Sequence, residues 1–365
     1  MSTRRLKVII DKDVSYDIRV GTRLLVNLGV HLREVTTATR AVVITDSNVR
    51  PLYLRKARAG LAKAGFEVFD LTIPAGESSK CIEVVSELWD ALVMLGIDKG
   101  DIVVGLGGGV VCDVAGFVAS TYLNGVGYVQ APTSLLAMVD SSIGGTTTIN
   151  LSGGKNLAGT TKQPVYIAID LETLATLPEN EWANGFAEIA KSALVEGGEF
   201  YKWLVNDAET LSAFNESAIQ QAIVHTIHFK AKVVTSNEFD TRLYRCLTYG
   251  YRFANALGAI SNHTISHGCA LAEGMRFAAR LGVEAMSIPD SFVTAQDDLL
   301  NKLGIMLIRE AFSADDLYKW LYLDKRLDKN EPPFVFVKQP GAWEAVQVDR
   351  DLVKIHLILW EQARM

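Results

Sequence analysis

"DIVVGLGGGVVCDVAGFVAST", residues 101–121, decides the fold. An apolar, β-branched run opens it and predicts a buried strand. Gly105, Gly107, Gly108 and Gly109 follow, and then small and apolar residues that suit a helix packed closely against a sheet. Glycines at such a turn let backbone approach a phosphate, and the N-terminus of the helix offers free N–H groups to bind it. Val110 stands at the third glycine of the G-x-G-x-x-G pattern. The stretch alone therefore leaves two readings open, a dinucleotide site and a tight strand–helix turn.

Working outward, "LKVII", "YDIRV", "RAVVITD", "FEVFDLTI" and "GVGYVQAP" read as strands, with helical stretches around 48–64 and 79–96. Strand and helix in repetition predict a mostly parallel sheet with helices on its faces. From about Pro178 the texture changes. "ENEWANGFAEIAKSALVEGGEFYKWLVND" and "ESAIQQAIVHTIHFKAKVVTSNEF" place apolar residues at three-and-four spacing, so this part is expected to be mainly helical. The fold class is an α/β nucleotide-binding domain over 1–178 joined to a mainly α-helical domain over 179–365. A cleft between two such domains is a common place for an active site.

At 365 residues, two domains are the natural expectation. With 49% hydrophobic and 21% charged residues the chain is ordinary and globular, and its net charge of −6 with no basic run gives no footing for nucleic acid. No apolar stretch nears the roughly 18 residues of a membrane helix, and the basic N-terminus lacks the apolar core of a secretory signal. Cys81, Cys112, Cys246 and Cys269 are scattered, as reduced thiols of a cytoplasmic protein would be.

Several stretches carry candidate chemistry. In "ITDSNV", Asp46 and Asn48 sit where a strand ends, and a carboxylate there can accept from ribose hydroxyls or cap the next helix. "PAGESSK" offers Glu77 and Lys80 with the same two readings. "APTSLLAMVDSSIGGTTTINLSGGKNLAGTTKQP" reads as a long polar loop holding Asp140, Lys155 and Asn156, and long loops in compact domains are usually functional. "GFAEIAKSAL" puts Glu188 and Lys191 on one helix face, where an exposed ion pair is the default and a cleft-facing pair the functional alternative. His225 and His228 fit an ordinary helix surface. His263 and His267, beside glycines and near Glu273, have a spacing that suits a metal if the stretch is helical.

Taken together these segments resemble the dehydroquinate synthase family of sugar-phosphate cyclases, from about residue 40 to 280. The densest match is "GGGVVCDVAGFVASTYLNGVGYVQAPTSLLAMVDSSIGG", continued by "GKNLAG", "QP", "TLP" and "GFAEIAKSAL". The resemblance implies an NAD-binding α/β domain, a helical domain holding a divalent metal (zinc or cobalt), and a cytoplasmic homodimer. It implies a phosphate-eliminating carbon–oxygen lyase of the shikimate pathway, in aromatic amino acid biosynthesis. The reaction turns 3-deoxy-arabino-heptulosonate 7-phosphate into 3-dehydroquinate, with NAD oxidising an alcohol transiently and the metal polarising oxygens.

Carried over position by position, Asp46, Asn48, Glu77, Lys80, Gly107, Gly108, Asp113, Thr133, Ser134 (for a usual threonine), Thr176 and Leu177 fall where the family binds NAD. Asp140, Lys155, Asn156, Lys191 and Lys230 match its catalytic positions. Glu188 and His267 match metal ligands, with Tyr251 or His263 left to supply the third. Lys325 or Arg326 matches a basic residue near the phosphate. The departures gather in the substrate half: Asn124 for a phosphate-binding arginine, Thr146 for a lysine, and Tyr244 and Thr248 for an arginine and an asparagine. Tyr251 stands for a metal-binding histidine, Asn255 for a second histidine, Cys269 for a glutamate and Asp240 for a longer carboxylate.

Charge-assisted hydrogen bonds contribute roughly 1.5–3 kcal/mol each. Losing those at Asn124, Thr146 and Asn255 without replacement removes about 5–9 kcal/mol, on the order of three to six decades in rate. Three readings follow: a dehydroquinate synthase, a cyclase-fold enzyme for a different polyol or sugar phosphate, and a non-catalytic NAD-binding homologue. In the first two the partner is a small molecule, with neither nucleic acid nor membrane involved.

Overall fold

The computed structural model describes residues 2–10, 15–237, 241–262, 264–323 and 333–365. Asp240, His263, Lys325 and Arg326 lie outside the described residues. The chain divides into two compact units, 1–178 and 179–365.

The first unit holds strands β1 (Arg4–Ile9), β2 (Ser15–Gly21), β3 (Arg40–Asp46), β4 (Glu67–Ile73), β5 (Ile102–Gly107), β6 (Gly127–Pro132), β7 (Thr146–Leu151), β8 (Gly154–Thr161) and β9 (Tyr166–Asp170). Its helices are α1 (Leu28–Leu32), α2 (Arg55–Lys63), α3 (Ile82–Met94) and α4 (Gly109–Thr121). A seven-stranded sheet runs β1-β2-β9-β6-β5-β3-β4, parallel except for the β1–β2 pair. β5 is an inner strand and every residue of it is buried, as its unbroken apolar run requires. Leu28, Leu61 and Val104 belong to the core on one face of the sheet, and Val85, Val103, Val114 and Val118 to the core on the other.

The segment expected to be a long polar loop is instead partly ordered. Asp140 sits in a π-helical turn, Ala137–Ser141, and β7 and β8 form an antiparallel hairpin packed on α4. The sequence conceals the hairpin because its outer face is threonine and asparagine, while one side chain, Ile149, anchors it in the core.

The second unit contains α5 (Glu179–Glu196), α6 (Gly198–Ser212), α7 (Glu216–Asn237), α8 (Thr241–Tyr244), α9 (Tyr251–Ile260), α10 (His267–Met286), α11 (Asp290–Lys302), α12 (Ala314–Leu323) and α13 (Arg350–Gln362). One hairpin, β10 (Phe334–Gln339) with β11 (Ala342–Val346), interrupts the helices. Glu179 and Glu181 in the first turn of α5 favour its N-terminus, and Gly197 at φ 69° ends it. α5 is buried on nearly all sides from Asn184 to Val195, against α7 and α10. Its polar residues therefore need partners inside the unit. Among the described residues no helix is long and apolar enough to cross a membrane, and the four cysteines are free thiols.

Candidate active site

In the first unit, the chain leaves β3 to one side for β4 and then crosses back to β5, so the strand order reverses between β3 and β5. Open α/β sheets take ligands in the crevice outside the carboxyl ends at such a point. Asp46 ends β3 and Gly107 ends β5, so both sit there. Of the four glycines in the turn, Gly105 lies inside β5 and Gly109 begins α4, leaving Gly107 and Gly108 as the turn itself. A side-chain carbon on Gly107 would stand 2.5 Å from Val111 Cγ2, so this glycine serves close strand–helix packing. Gly108 is the N-cap of α4 and no side chain caps the helix, while a carbon added on Gly108 would meet only Ser134, at 3.5 Å. Uncapped N–H groups at a helix N-terminus are of the kind that can bind an anion. The close-packing reading holds at Gly107, while Gly108 leaves the backbone N–H groups of the first turn of α4 without a side-chain cap.

The other cofactor-side residues are variously engaged. Asp46 Oδ1 accepts from the Asn48 and Val49 amides at 2.8 and 2.9 Å, so it closes the turn after β3 and does not cap the helical segment that begins at Arg50. The Thr133 amide donates to the Gly107 carbonyl at 2.9 Å. Ser134 Oγ accepts from the Ala137 amide at 3.3 Å. Thr176 Oγ1 bonds Tyr53 Oη at 2.6 Å, and Leu177 closes the turn after it.

Lys80 is 5% exposed; its ammonium pairs with Asp113 and donates to Asn156 Oδ1 at 2.5 Å. Burial pushes the Asp113 carboxyl above its usual range; Lys80 opposes that shift and Asp140 adds to it. Asn156, at φ 56°, also donates its amide to Asn150 Oδ1 at 2.9 Å, and Asn150 Nδ2 donates to Glu77 Oε1 at 2.8 Å. Lys155 Nζ lies 3.8 Å from the same Glu77 oxygen. The hairpin thus gathers Glu77, Lys80, Asp113, Lys155 and Asn156 through Asn150. Nothing in the sequence singles out Asn150, because β7 has too little apolar alternation to be legible as a strand.

In the second unit, Glu188 and Lys191 form their ion pair at 2.6 Å, but with side chains 2% and 3% exposed it is a buried pair and not the exposed one expected by default. The apolar sequence on both sides of the pair is the reason. Glu188 Oε1 accepts from Tyr251 Oη at 2.6 Å and lies 2.9 Å from His267 Nε2. The Lys191 ammonium also stands 4.6 Å from the centroid of the Tyr251 ring. Burial alone would raise the pKa of Glu188, but Lys191 and His267 outweigh it and hold the carboxyl well below its ordinary range.

His267 is the first residue of α10, after the N-cap Ser266. Asn184 Oδ1 accepts from the Gly268 amide at 2.6 Å, and a side chain on Gly268 would run into the Ala183 carbonyl, so α10 begins pressed onto α5. That contact places the imidazole over Glu188. Residues 264–266, just before His267, are not helical, and His263 lies outside the described residues.

Other expectations separate from this cluster. Glu273 is fully buried and its carboxylate is held by Arg276, Arg364 and Trp360, a structural knot and no ligand. His225 stacks on Phe200 at 5.0 Å, half-buried, while His228 is exposed. Lys230 is buried on α7. Asn255 lies one turn beyond Tyr251 on α9, and Asn124 and Thr146 are exposed in the first unit. Among the described residues no three His, Cys, Asp or Glu side chains gather as a metal cluster. The donor set on offer is carboxylate, imidazole and phenol; the first two are ordinary ligands of zinc or cobalt, and a phenol ligates once it gives up its proton.

Two family models match in succession, 3-dehydroquinate synthase N-terminal over residues 70–184 and 3-dehydroquinate synthase C-terminal over 185–327. The chain belongs to the 3-dehydroquinate synthase family. Within that family, a 3-dehydroquinate synthase of Geobacter sp. (strain M21) is 35% identical over 344 residues, covering 94% of this chain and 95% of the relative. One from Citrifermentans bemidjiense is 39% identical over 282 residues, 77% of this chain and 78% of the relative. Among solved structures, a 2-deoxy-scyllo-inosose synthase complexed with carbaglucose-6-phosphate, NAD+ and Co2+ superposes with a TM-score of 0.89. It is 22% identical, covering 98% of this chain and 99% of that one. A 2-epi-5-epi-valiolone synthase from Streptomyces hygroscopicus subsp. jinggangensis, with NAD+ and Zn2+ bound, gives 0.87 at 27% identity, covering 97% and 98%.

Proposed function

We propose that this family member is a sugar-phosphate cyclase of the 3-dehydroquinate synthase type, acting on a seven-carbon keto-sugar phosphate. The observation that carries the reading is the Glu188–Lys191–His267 cluster, in which Glu188 on buried α5 lies 2.6 Å from Lys191 on the same helix and 2.9 Å from His267 at the start of α10. Residues 1–178 hold NAD in this reading, and residues 179–365 the metal and the substrate. The pyrophosphate fits the uncapped N-terminus of α4 over Gly108, with Asp46 and Asn48 across the switch point for the ribose. When bound, NAD supplies reversible oxidation of a substrate alcohol, which acidifies the neighbouring C–H so that phosphate can leave.

Glu188, His267 and Tyr251 would hold a divalent metal, which supplies Lewis-acid polarisation of substrate oxygens. Tyr251 is our choice for third ligand over His263, because its hydroxyl already meets the Glu188 oxygen that faces His267. Lys191, fixed by Glu188, presents a positioned ammonium to a substrate oxygen. Asn156 and Lys155, fixed through Asn150, Lys80 and Glu77, present a second set of donors. We further place the enzyme in the cytoplasm as a homodimer.

The test pairs calorimetric NAD titration with phosphate release from 3-deoxy-arabino-heptulosonate 7-phosphate. NAD binding with turnover supports the reading; no binding and no turnover would leave only a non-catalytic homologue. A second reading, a cyclase for a different sugar phosphate or polyol, draws support from the neutral, exposed Asn124 and Thr146. NAD binding without phosphate release from the heptulosonate would select it.

A further inference from the structure

Lys162 stands where β8 returns to the sheet. Its amide donates to the Gly145 carbonyl at 2.9 Å and its carbonyl accepts from Tyr128 Oη at 2.5 Å. It is therefore anchored beside the Thr146–Thr161 pair that begins the hairpin. From there its side chain crosses to the turn at the amino end of β6, where Leu123, Asn124 and Gly125 all have positive φ, 49°, 61° and 108°. A side-chain carbon on Gly125 would stand 2.7 Å from Lys162 Nζ. The ammonium is thus brought against the residue next to Asn124 while its own backbone abuts Thr146. Those are two of the positions at which the family resemblance implies a cation and this chain has none.

Two structural readings compete. Lys162 could cap the C-terminus of α4, where the Ser120 carbonyl is close. However, among the described residues its ammonium makes no hydrogen bond to that carbonyl or to any other group. It could also be a solvated surface lysine, but it is half-buried. Burial and the neighbouring Lys99 both disfavour its charge, and no carboxylate offsets them. A desolvated ammonium without a counter-charge, beside a second cation, is arranged to receive an anion.

We propose that Lys162 binds the phosphoryl group of the substrate, replacing the cations absent at Asn124 and Thr146. This rests on the sugar-phosphate reading above and gives it a residue.

The test uses the full-length protein and inorganic phosphate. Binding is followed by calorimetry against chloride at equal ionic strength, for wild type, Lys162→Met and Lys162→Arg. Wild type should bind phosphate, Lys162→Met should bind it about 10- to 100-fold more weakly, and Lys162→Arg should stay near wild type. NAD affinity and Tm should not move. The proposal is overturned if Lys162→Met binds phosphate as wild type does, or if wild type binds none. It is equally overturned if Tm and NAD affinity fall together with phosphate binding, since that is the mark of a structural lysine. Its failure is separable from that of the proposed function. Phosphate release from the heptulosonate with an indifferent Lys162→Met defeats Lys162 alone. Lys162-dependent phosphate binding without that turnover defeats the choice of substrate alone.

Discussion

Replacing Tyr251 by histidine tests what the second unit has kept of a metal site. The Tyr251 hydroxyl donates to Glu188 Oε1 at 2.6 Å, with the His267 imidazole 2.9 Å away on the same oxygen and Lys191 on the other. Tyr251→His exchanges a phenol, which must lose a proton to ligate, for an imidazole that ligates as it stands, and the shorter ring leaves room beside Glu188. Structural zinc sites with four ligands are worth roughly 10–16 kcal/mol, or about 3 kcal/mol per ligand, which is on the order of a hundredfold in affinity. Competition with a chromophoric chelator, together with metal stoichiometry on the purified protein, should therefore rank zinc affinity as Tyr251→His above wild type above Tyr251→Phe. Equal affinity for wild type and Tyr251→Phe would show that Tyr251 is no ligand. Equal affinity for wild type and Tyr251→His, with Tm unchanged, would refute the placement of the third ligand at this position altogether.

Gly108→Ala should leave Tm unchanged, because the added carbon meets Ser134 at an ordinary 3.5 Å, yet weaken NAD about tenfold by calorimetry; unchanged NAD affinity would remove the α4 N-terminus from the cofactor site. Lys80→Met strands the largely buried Asp113 carboxylate and should cost about 3 kcal/mol in urea unfolding, most of it recovered in Lys80→Met/Asp113→Asn; a loss that the double variant does not recover would mean Lys80 acts by packing. His225 has its pKa lowered by burial and by His228, so the fold favours the neutral ring. Its contribution is complete above the unfolded value of about 6.5 and is lost as pH falls through the folded one. His225→Phe keeps the stack on Phe200 and should flatten the fall in Tm below pH 6.5 relative to wild type; an identical pH profile would contradict this.

The α/β half was legible because its signals are local. "DIVVGLGGG" is an apolar run followed by glycines, and the structure makes it an inner, wholly buried strand and a helix start. That Asp46 and Gly107 end strands was legible in the sequence, but the reversal point between those strands needed the strand order. The β7–β8 hairpin was missed because a strand with one anchored apolar side chain has almost no alternation to read. The pairing of Glu188 with Lys191 was readable from their spacing, whereas its burial was not. Burial depends on α7 and α10, which pack around α5.

By itself the sequence determined the two-part organisation, the glycine turn and the family. Periodicity, glycine sterics and motif order act within a few turns of chain, and all survive in one dimension. Only the tertiary structure decided that Tyr251, 63 residues from Glu188, donates to the oxygen that also faces His267, 79 residues away. It alone set the ammonium of Lys162 against the turn that carries Asn124. Contacts of that kind depend on how helices pack and where a hairpin returns, and no local pattern encodes a distance between segments so far apart.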